Sequence, residues 1–146
     1  MKVTALIMAE KRSGVLDPLA KRAGVAQKCV VPVRGKPMIQ RVVEAVAACD
    51  RIGAIHIVAH EPDEIAEIPI VQTLQREGRL HFRPGAFNLV DSVIAGAEGA
   101  DFPLMITTAD NCLVTSEGYA EFVDKALANE AAAAAALARK EDVIAA

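Results

Sequence analysis

A chain of 146 residues supports a single domain, spanning 1–146, with room for a sizeable core. Apolar residues make up 53% and charged residues 24%, a globular balance that excludes intrinsic disorder. A net charge of −3, aromatics at 3% and no Trp leave no case for a nucleic-acid surface, which needs basic patches and stacking platforms.

Val3–Met8 is apolar throughout and reads as a buried strand. A polar loop follows, Glu10-Lys11-Arg12-Ser13-Gly14, then Asp17-Pro18-Leu19-Ala20 and, after a gap, Lys28. The turn Gly35-Lys36-Pro37 opens a helix over 38–49. Its apolar residues at 38, 39, 42, 43, 46 and 47 keep helical spacing, and Pro37 suits the first turn. Residues 54–59 form a second strand. A helix is expected over 65–77, disturbed near its start by Pro69 and ended by Gly78. Leu80–Arg83 is a short strand, 88–98 a helix and Leu104–Thr108 another buried strand. Ser116 is placed to cap a helix running to about Asn129, with Glu117 and Glu121 near its positive end. The run Ala131–Leu137 is assigned as a strand because strand and helix alternate up to that point. Glu141 onward opens a further helix.

Alternation of strands and helices implies an α/β fold, a mostly parallel sheet with helices on both faces. In such sheets ligands bind outside the carboxyl ends of the strands, where the strand order reverses. The loop after Met8, the turn at His60-Glu61, the segment Arg83–Asn88 and Asp110 all fall at such ends. Convergence of these four segments is stronger evidence than any one of them.

Cys29, Cys49 and Cys112 form no C-x-x-C pair, which points to a reducing, cytoplasmic setting with buried thiols. No secretory signal is visible, and no segment approaches the ~18 apolar residues that span a bilayer. His56 and His60 are four apart on one strand face, yet zinc needs further ligands that the sequence does not supply. Cys112 follows Asp110 closely but has no His near it in sequence, so it reads as a structural thiol.

The chemistry lies in the remaining polar residues. A strand, a basic loop with Gly, a following Lys and a helix make a cradle for phosphates. Lys11, Arg12, Ser13 and Gly14 supply that loop, and Lys28 the later positive charge. Asp110, at the end of a buried strand, is a candidate Mg²⁺ ligand, since Mg²⁺ takes one or two carboxylates together with phosphate oxygens and water. Asn111 follows it as a supporting contact. Each residue also has a plain structural reading: Lys28 as a solvated surface Lys, Asp110 as a turn residue, Asn88 as a helix cap.

The order of these pieces resembles the MobA-like nucleotidyltransferases, the family of molybdenum-cofactor guanylyltransferase and related sugar-phosphate enzymes. The matching residues are Leu6-Ile-Met-Ala9, the loop through Gly14, Lys28, Gly35-Lys36-Pro37-Met38-Ile39 and Asp110, within roughly residues 3–115. The resemblance implies a three-layer α/β/α, Rossmann-like, GT-A-like nucleotidyltransferase fold, here in an incomplete form. It implies binding of a nucleoside triphosphate with Mg²⁺, transfer of the nucleotidyl group to a phosphorylated small-molecule acceptor, and release of pyrophosphate. Lys28 and Asp110 would be catalytic, with Asp110 on the metal. Ala9, Glu10, Lys11, Arg12, Ser13, Gly14, Lys28, His60, Pro84, Gly85, Asn88 and Ser92 would bind substrate.

The alternative is a non-catalytic nucleotide-binding or partner-binding module that has lost the Gly-rich loop, because Glu10 stands where that family has Gly. A dinucleotide-dependent oxidoreductase is disfavoured, as no G-x-G-x-x-G follows the first strand. Nothing implies a nucleic-acid or membrane partner. An open sheet edge at Ala131–Leu137 would favour a homo-oligomer.

Overall fold

The computed structural model describes residues 1–9 and 16–145. A parallel sheet organises them, with strands β1 (Val3–Met8), β4 (Ile52–Val58), β5 (Leu80–Arg83) and β6 (Leu104–Thr108) in the order β5-β4-β1-β6. Two short strands, β2 (Pro32–Val33) and β3 (Lys36–Pro37), form a separate hairpin. Its turn places Arg34 and Gly35 at φ 49° and 75°, left-handed values that glycine adopts without strain. Arg41 fixes this hairpin by donating to the Val33 carbonyl at 2.6 and 3.1 Å.

The seven described helices are α1 (Pro18–Ala23), α2 (Met38–Ala48), α3 (Asp63–Ala66), α4 (Pro69–Arg76), α5 (Leu89–Gly96), α6 (Ser116–Ala128) and α7 (Lys140–Ile144). One sheet face carries Ala5, Ile7, Ile55 and Ile57 against Val42 and Val46 of α2, Val71 and Leu74 of α4, and Tyr119 and Val123 of α6. The other face carries Leu6, Met8 and Val58 against Val93 and Ala97, on and just beyond α5. Alternate residues of one strand thus feed two helical layers, which makes the expected three-layer α/β/α arrangement. No described helix is long and apolar enough to cross a membrane.

Several sequence expectations are corrected. Ala131–Leu137 forms no strand; it is exposed chain leading into α7. Alanine lacks the branched or aromatic side chain that packs on a pleated surface, so alternation alone was too weak a reason to place a strand there. The sheet edges among the described residues are β5 and β6. The helix expected over 65–77 is two helices, because Pro69 cannot donate its backbone nitrogen and begins α4 instead. The cap of α6 is Thr115, whose hydroxyl accepts from the Gly118 N–H; Ser116 is already helical. Pro37, the last residue of β3, stands at the N-cap position of α2 without a side-chain capping bond and is not in its first turn.

The sequence reading did not place the β2–β3 hairpin, the 3-10 turn over Lys28–Val30 or helix α1, and α1 was the most legible of them. Asp17 caps α1 by accepting from the N–H groups of Leu19 and Ala20 at 2.8 and 3.3 Å, Pro18 occupies the first helical position, and Gly24 ends the helix at φ 70°. Asp-Pro followed by a Gly is a start-and-stop signature that the residues did carry. Replacing Asp17 with Ala should lower stability by about 1 kcal/mol, as for other lost N-caps. Urea denaturation of parent and variant measures this; equal midpoints would show that α1 does not need the cap.

Candidate functional site

β1 lies between β4 and β6, and the chain leaves it toward β4 but returns later on its other side as β6. The strand order therefore reverses between β1 and β6, where α/β sheets open a ligand crevice. The two strand ends are stitched together there: the Ala109 N–H donates to the Met8 carbonyl at 3.0 Å, and the Ala9 N–H donates to Val58 on the other side at 2.9 Å. Ala9 is buried at this seam, and Asp110 follows directly on the β6 side.

Lys28 is brought to the same place from a different part of the chain. It opens a 3-10 turn, Lys28–Val30, whose Cys29 is buried in the core. Its Nζ donates to Asp110 Oδ2 at 2.7 Å, although the two residues are 82 positions apart. The Lys28 ammonium, followed by the Thr108 hydroxyl, holds the Asp110 carboxyl below the usual carboxylate range. The pair is open to solvent, with the side chains 45% and 37% exposed. An ion pair that wet contributes on the order of 0–1 kcal/mol, so it holds together weakly and can part when a competing charge arrives.

Thr107, Tyr119 and Gln27, which the sequence reading missed, brace this pair together with Asn111, which it named. Thr107 and Tyr119 share a buried hydrogen bond of 3.2 Å, and Asn111 donates to the Thr107 hydroxyl at 3.3 Å, which steadies the turn carrying Asp110. Burial pushes the Tyr119 phenol up, so it stays neutral. On the Lys28 side, buried Gln27 donates to the Glu61 carbonyl at 2.9 Å and so ties the 3-10 turn to the segment after β4. A buried glutamine beside a lysine leaves no periodic signal. The polar Thr107-Thr108 at the end of an otherwise apolar strand was a usable one.

The remaining candidates are spread along the strand ends. His60 is exposed just beyond β4, beside the end of β5, since the Ala59 N–H donates to the Arg83 carbonyl at 3.1 Å. Pro84 and Gly85 follow β5 directly. Three strand spacings separate β5 from β6, roughly 14 Å at ~4.8 Å each, so these residues and Asp110 stand at opposite ends of the row of strand ends. Asn88 caps α5 by accepting from the Asp91 N–H at 2.9 Å. The Ser92 hydroxyl is buried and accepts from the Ala86 N–H at 2.9 Å. Glu10, Lys11, Arg12, Ser13 and Gly14 lie outside the described residues.

Among the described residues no group of three or more His, Cys, Asp or Glu side chains could enclose a metal. Asp110 is a single carboxylate at an open position. That suits an ion carried in with phosphates, which supply most of its oxygens, and does not suit a resident ion in a protein cage.

A family model for the MobA-like NTP transferase domain matches residues 19–144. The chain belongs to that family. The match begins beyond the loop after β1, so it does not rest on the residues around Glu10. No curated protein matches the MobA-like domain described here. Among solved structures it is similar to a hypothetical transferase from Thermus thermophilus, at 25% identity and TM-score 0.65, covering 86% of this chain and 47% of that one. It shares its fold with a 4-diphosphocytidyl-2C-methyl-D-erythritol synthase from Anaerococcus prevotii, at 16% identity and TM-score 0.62, covering 85% and 50%. A CMP:2-keto-3-deoxy-manno-octonic acid synthetase complexed with CTP is alike to the same degree, at 16% identity and TM-score 0.61, covering 90% and 49%. The MobA-like domain therefore spans about half the length of the solved proteins it matches.

Proposed function

We propose that this domain binds a nucleoside triphosphate in the crevice at the β1–β6 seam and serves nucleotidyl transfer to a phosphorylated small-molecule acceptor. The observation that carries this reading is the Lys28–Asp110 pair at the strand-order reversal, in a chain of the MobA-like family. That one solved relative is a synthetase complexed with CTP supports a triphosphate as the ligand.

In the reaction an acceptor oxygen attacks the α-phosphorus, the bond from that phosphorus to the bridging oxygen breaks, and pyrophosphate leaves. Such a transfer asks the protein for position and for compensation of charge. Lys28 supplies a cation for the departing phosphates. Asp110 would hold Mg²⁺, which when bound would neutralise phosphate charge. Phosphate and metal would then take over the partners that Lys28 and Asp110 now provide for each other, at little cost because their pair is weak. Ala9 and the loop 10–14 would face the phosphates, and His60, Pro84, Gly85, Asn88 and Ser92 would form the end of the crevice toward the nucleoside. Three free cysteines, two of them buried, support a cytoplasmic setting.

A nucleoside triphosphate with Mg²⁺ should therefore raise the thermal midpoint. Ligand at a hundredfold excess over Kd adds about 2.7 kcal/mol. Lys28→Ala should remove most of that gain while leaving the unliganded midpoint nearly unchanged, because the lost pair is exposed. Scanning fluorimetry against each triphosphate reads both effects, and an undiminished response of the variant would make Lys28 a surface residue. Pyrophosphate release with phosphorylated acceptors then separates transfer from binding alone. Binding without release would favour a nucleotide-binding module, the reading to which Glu10 lends support.

A further inference from the structure

On the sheet face away from the main core, β4 carries a buried histidine, His56, at 2% exposure. Its Nδ1 lies 2.7 Å from the carbonyl oxygen of Gly96, in the last turn of α5. A carbonyl only accepts, so Nδ1 carries the proton and the ring caps the carboxyl end of that helix from below. The contact is close because Gly96 sits directly on the sheet: a Cβ there would lie 2.5 Å from Val58 Cγ2. At its other end α5 is tied to the loop after β5 through Asn88, which accepts from Asp91, and through Ser92, which accepts from Ala86. A single short helix therefore joins a titratable group to the loop 84–88.

The described groups facing His56 come from β1, β5 and α5. β1 presents Leu6, its partner in register. β5 presents His81, whose ring stands edge-on at 5.7 Å, and Arg83, both on the same face. From α5 comes the Gly96 carbonyl. Among the described residues none of these is an acid. Arg83 already holds a buried Nε without a hydrogen-bond partner. A second proton on His56 would add a charge beside one fixed cation and one titratable ring. Among the described groups the Gly96 carbonyl is the one that compensates it.

We propose that His56 is a pH-sensitive latch: neutral, it holds α5 against the sheet, and protonated, it releases the helix and with it the loop 84–88. The opening lets the charged ring reach water while the core on the opposite face stays closed. The inference is independent of nucleotide transfer, since it concerns the free protein.

The sign follows from the environment. Burial is the largest influence and lowers the affinity of His56 for its proton, and Arg83 and His81 act the same way against the Gly96 hydrogen bond. Docking of α5 is thus complete above the ordinary histidine value of about 6.5 and weakens as pH falls from there toward the lower folded value. One proton taken up gives a change of up to about tenfold per pH unit in that window.

Amide hydrogen exchange of the free protein, expressed as protection factors to remove intrinsic pH dependence, tests the proposal. Between pH 7.5 and 5.5 the amides of α5 should lose protection, while those of α2 hold theirs. His56→Asn keeps an N–H donor near the position of Nδ1 and cannot titrate, so its α5 amides should show no such loss. Unchanged α5 protection in the parent, equal loss in the variant, or equal loss in α2 would each overturn the latch. Should the variant not fold, the imidazole ¹⁵N titration of His56 in the parent decides. Its midpoint must lie below the ordinary histidine value, at the pH where the loss of α5 protection levels off, and a midpoint at or above that ordinary value overturns the idea.

Discussion

Replacing Asp110 with Asn is expected to leave the fold intact and to abolish Mg²⁺-dependent nucleotide binding. The amide keeps the size and turn preference of the aspartate but carries no charge, and Mg²⁺ binds such a group poorly. The structural loss is small. The pair with Lys28 is more than a third exposed on both sides, which limits the change in stability to about 1 kcal/mol or less. The functional loss is large: removing a group that stabilises developing charge costs about a hundredfold or more in turnover. Because Lys28 holds the Asp110 carboxyl low, the aspartate is ionised throughout the neutral range. Whatever stability the pair gives is present above the ordinary carboxylate range and is lost only as pH falls through the lowered folded value. Mg²⁺ titration of both proteins with a triphosphate present is the measurement. Equal Mg²⁺ dependence would remove the metal assignment and most of the case for catalysis.

The largest expected effect on stability belongs to Gly96→Ala. Alanine would normally strengthen a helix over glycine by roughly 0.5–1 kcal/mol. Here its methyl carbon would stand 2.5 Å from Val58 Cγ2 and 3.3 Å from Leu6 Cδ2. Val58 is β-branched, fully buried and held in the sheet between β1 and β5, so it cannot swing aside. Overpacking of this kind costs typically 1–3 kcal/mol. The clash outweighs the propensity gain, and a net loss of about 1–2 kcal/mol is expected in chemical denaturation. A stabilised variant would show that α5 can rise from the sheet freely.

The four strands of the main sheet were readable, β1, β4 and β6 as largely apolar runs ended by polar or turn residues, and β1, β5 and β6 fall within the expected bounds, whereas the β2–β3 hairpin was not read as strand. Helix α2 was readable from its period, with Met38, Ile39, Val42, Val43 and Val46 all buried. Strand order was not readable, because nothing local tells β6 to pair with β1. For the same reason Lys28 and Asp110 were legible one at a time, each from its place after an element, while their contact depends on how the chain folds over 82 residues. Asn88 shows the converse: its two readings could not be separated in the sequence, and the structure gives it a cap without testing the other role. The alanine run misled because a rule about whole folds was applied where the residues themselves offered no support for a strand.

The bond between Ser92 and Ala86 bears on how quickly a ligand can be accepted. The loop after β5 has a backbone N–H already satisfied from within the protein, by a hydroxyl that is itself buried. That bond removes part of the segment's conformational freedom during folding, so less would remain to be lost if the proposed nucleoside settled against it. Under the proposed function, recognition there would then ask for less rearrangement of the loop, with residence time set by the contacts made.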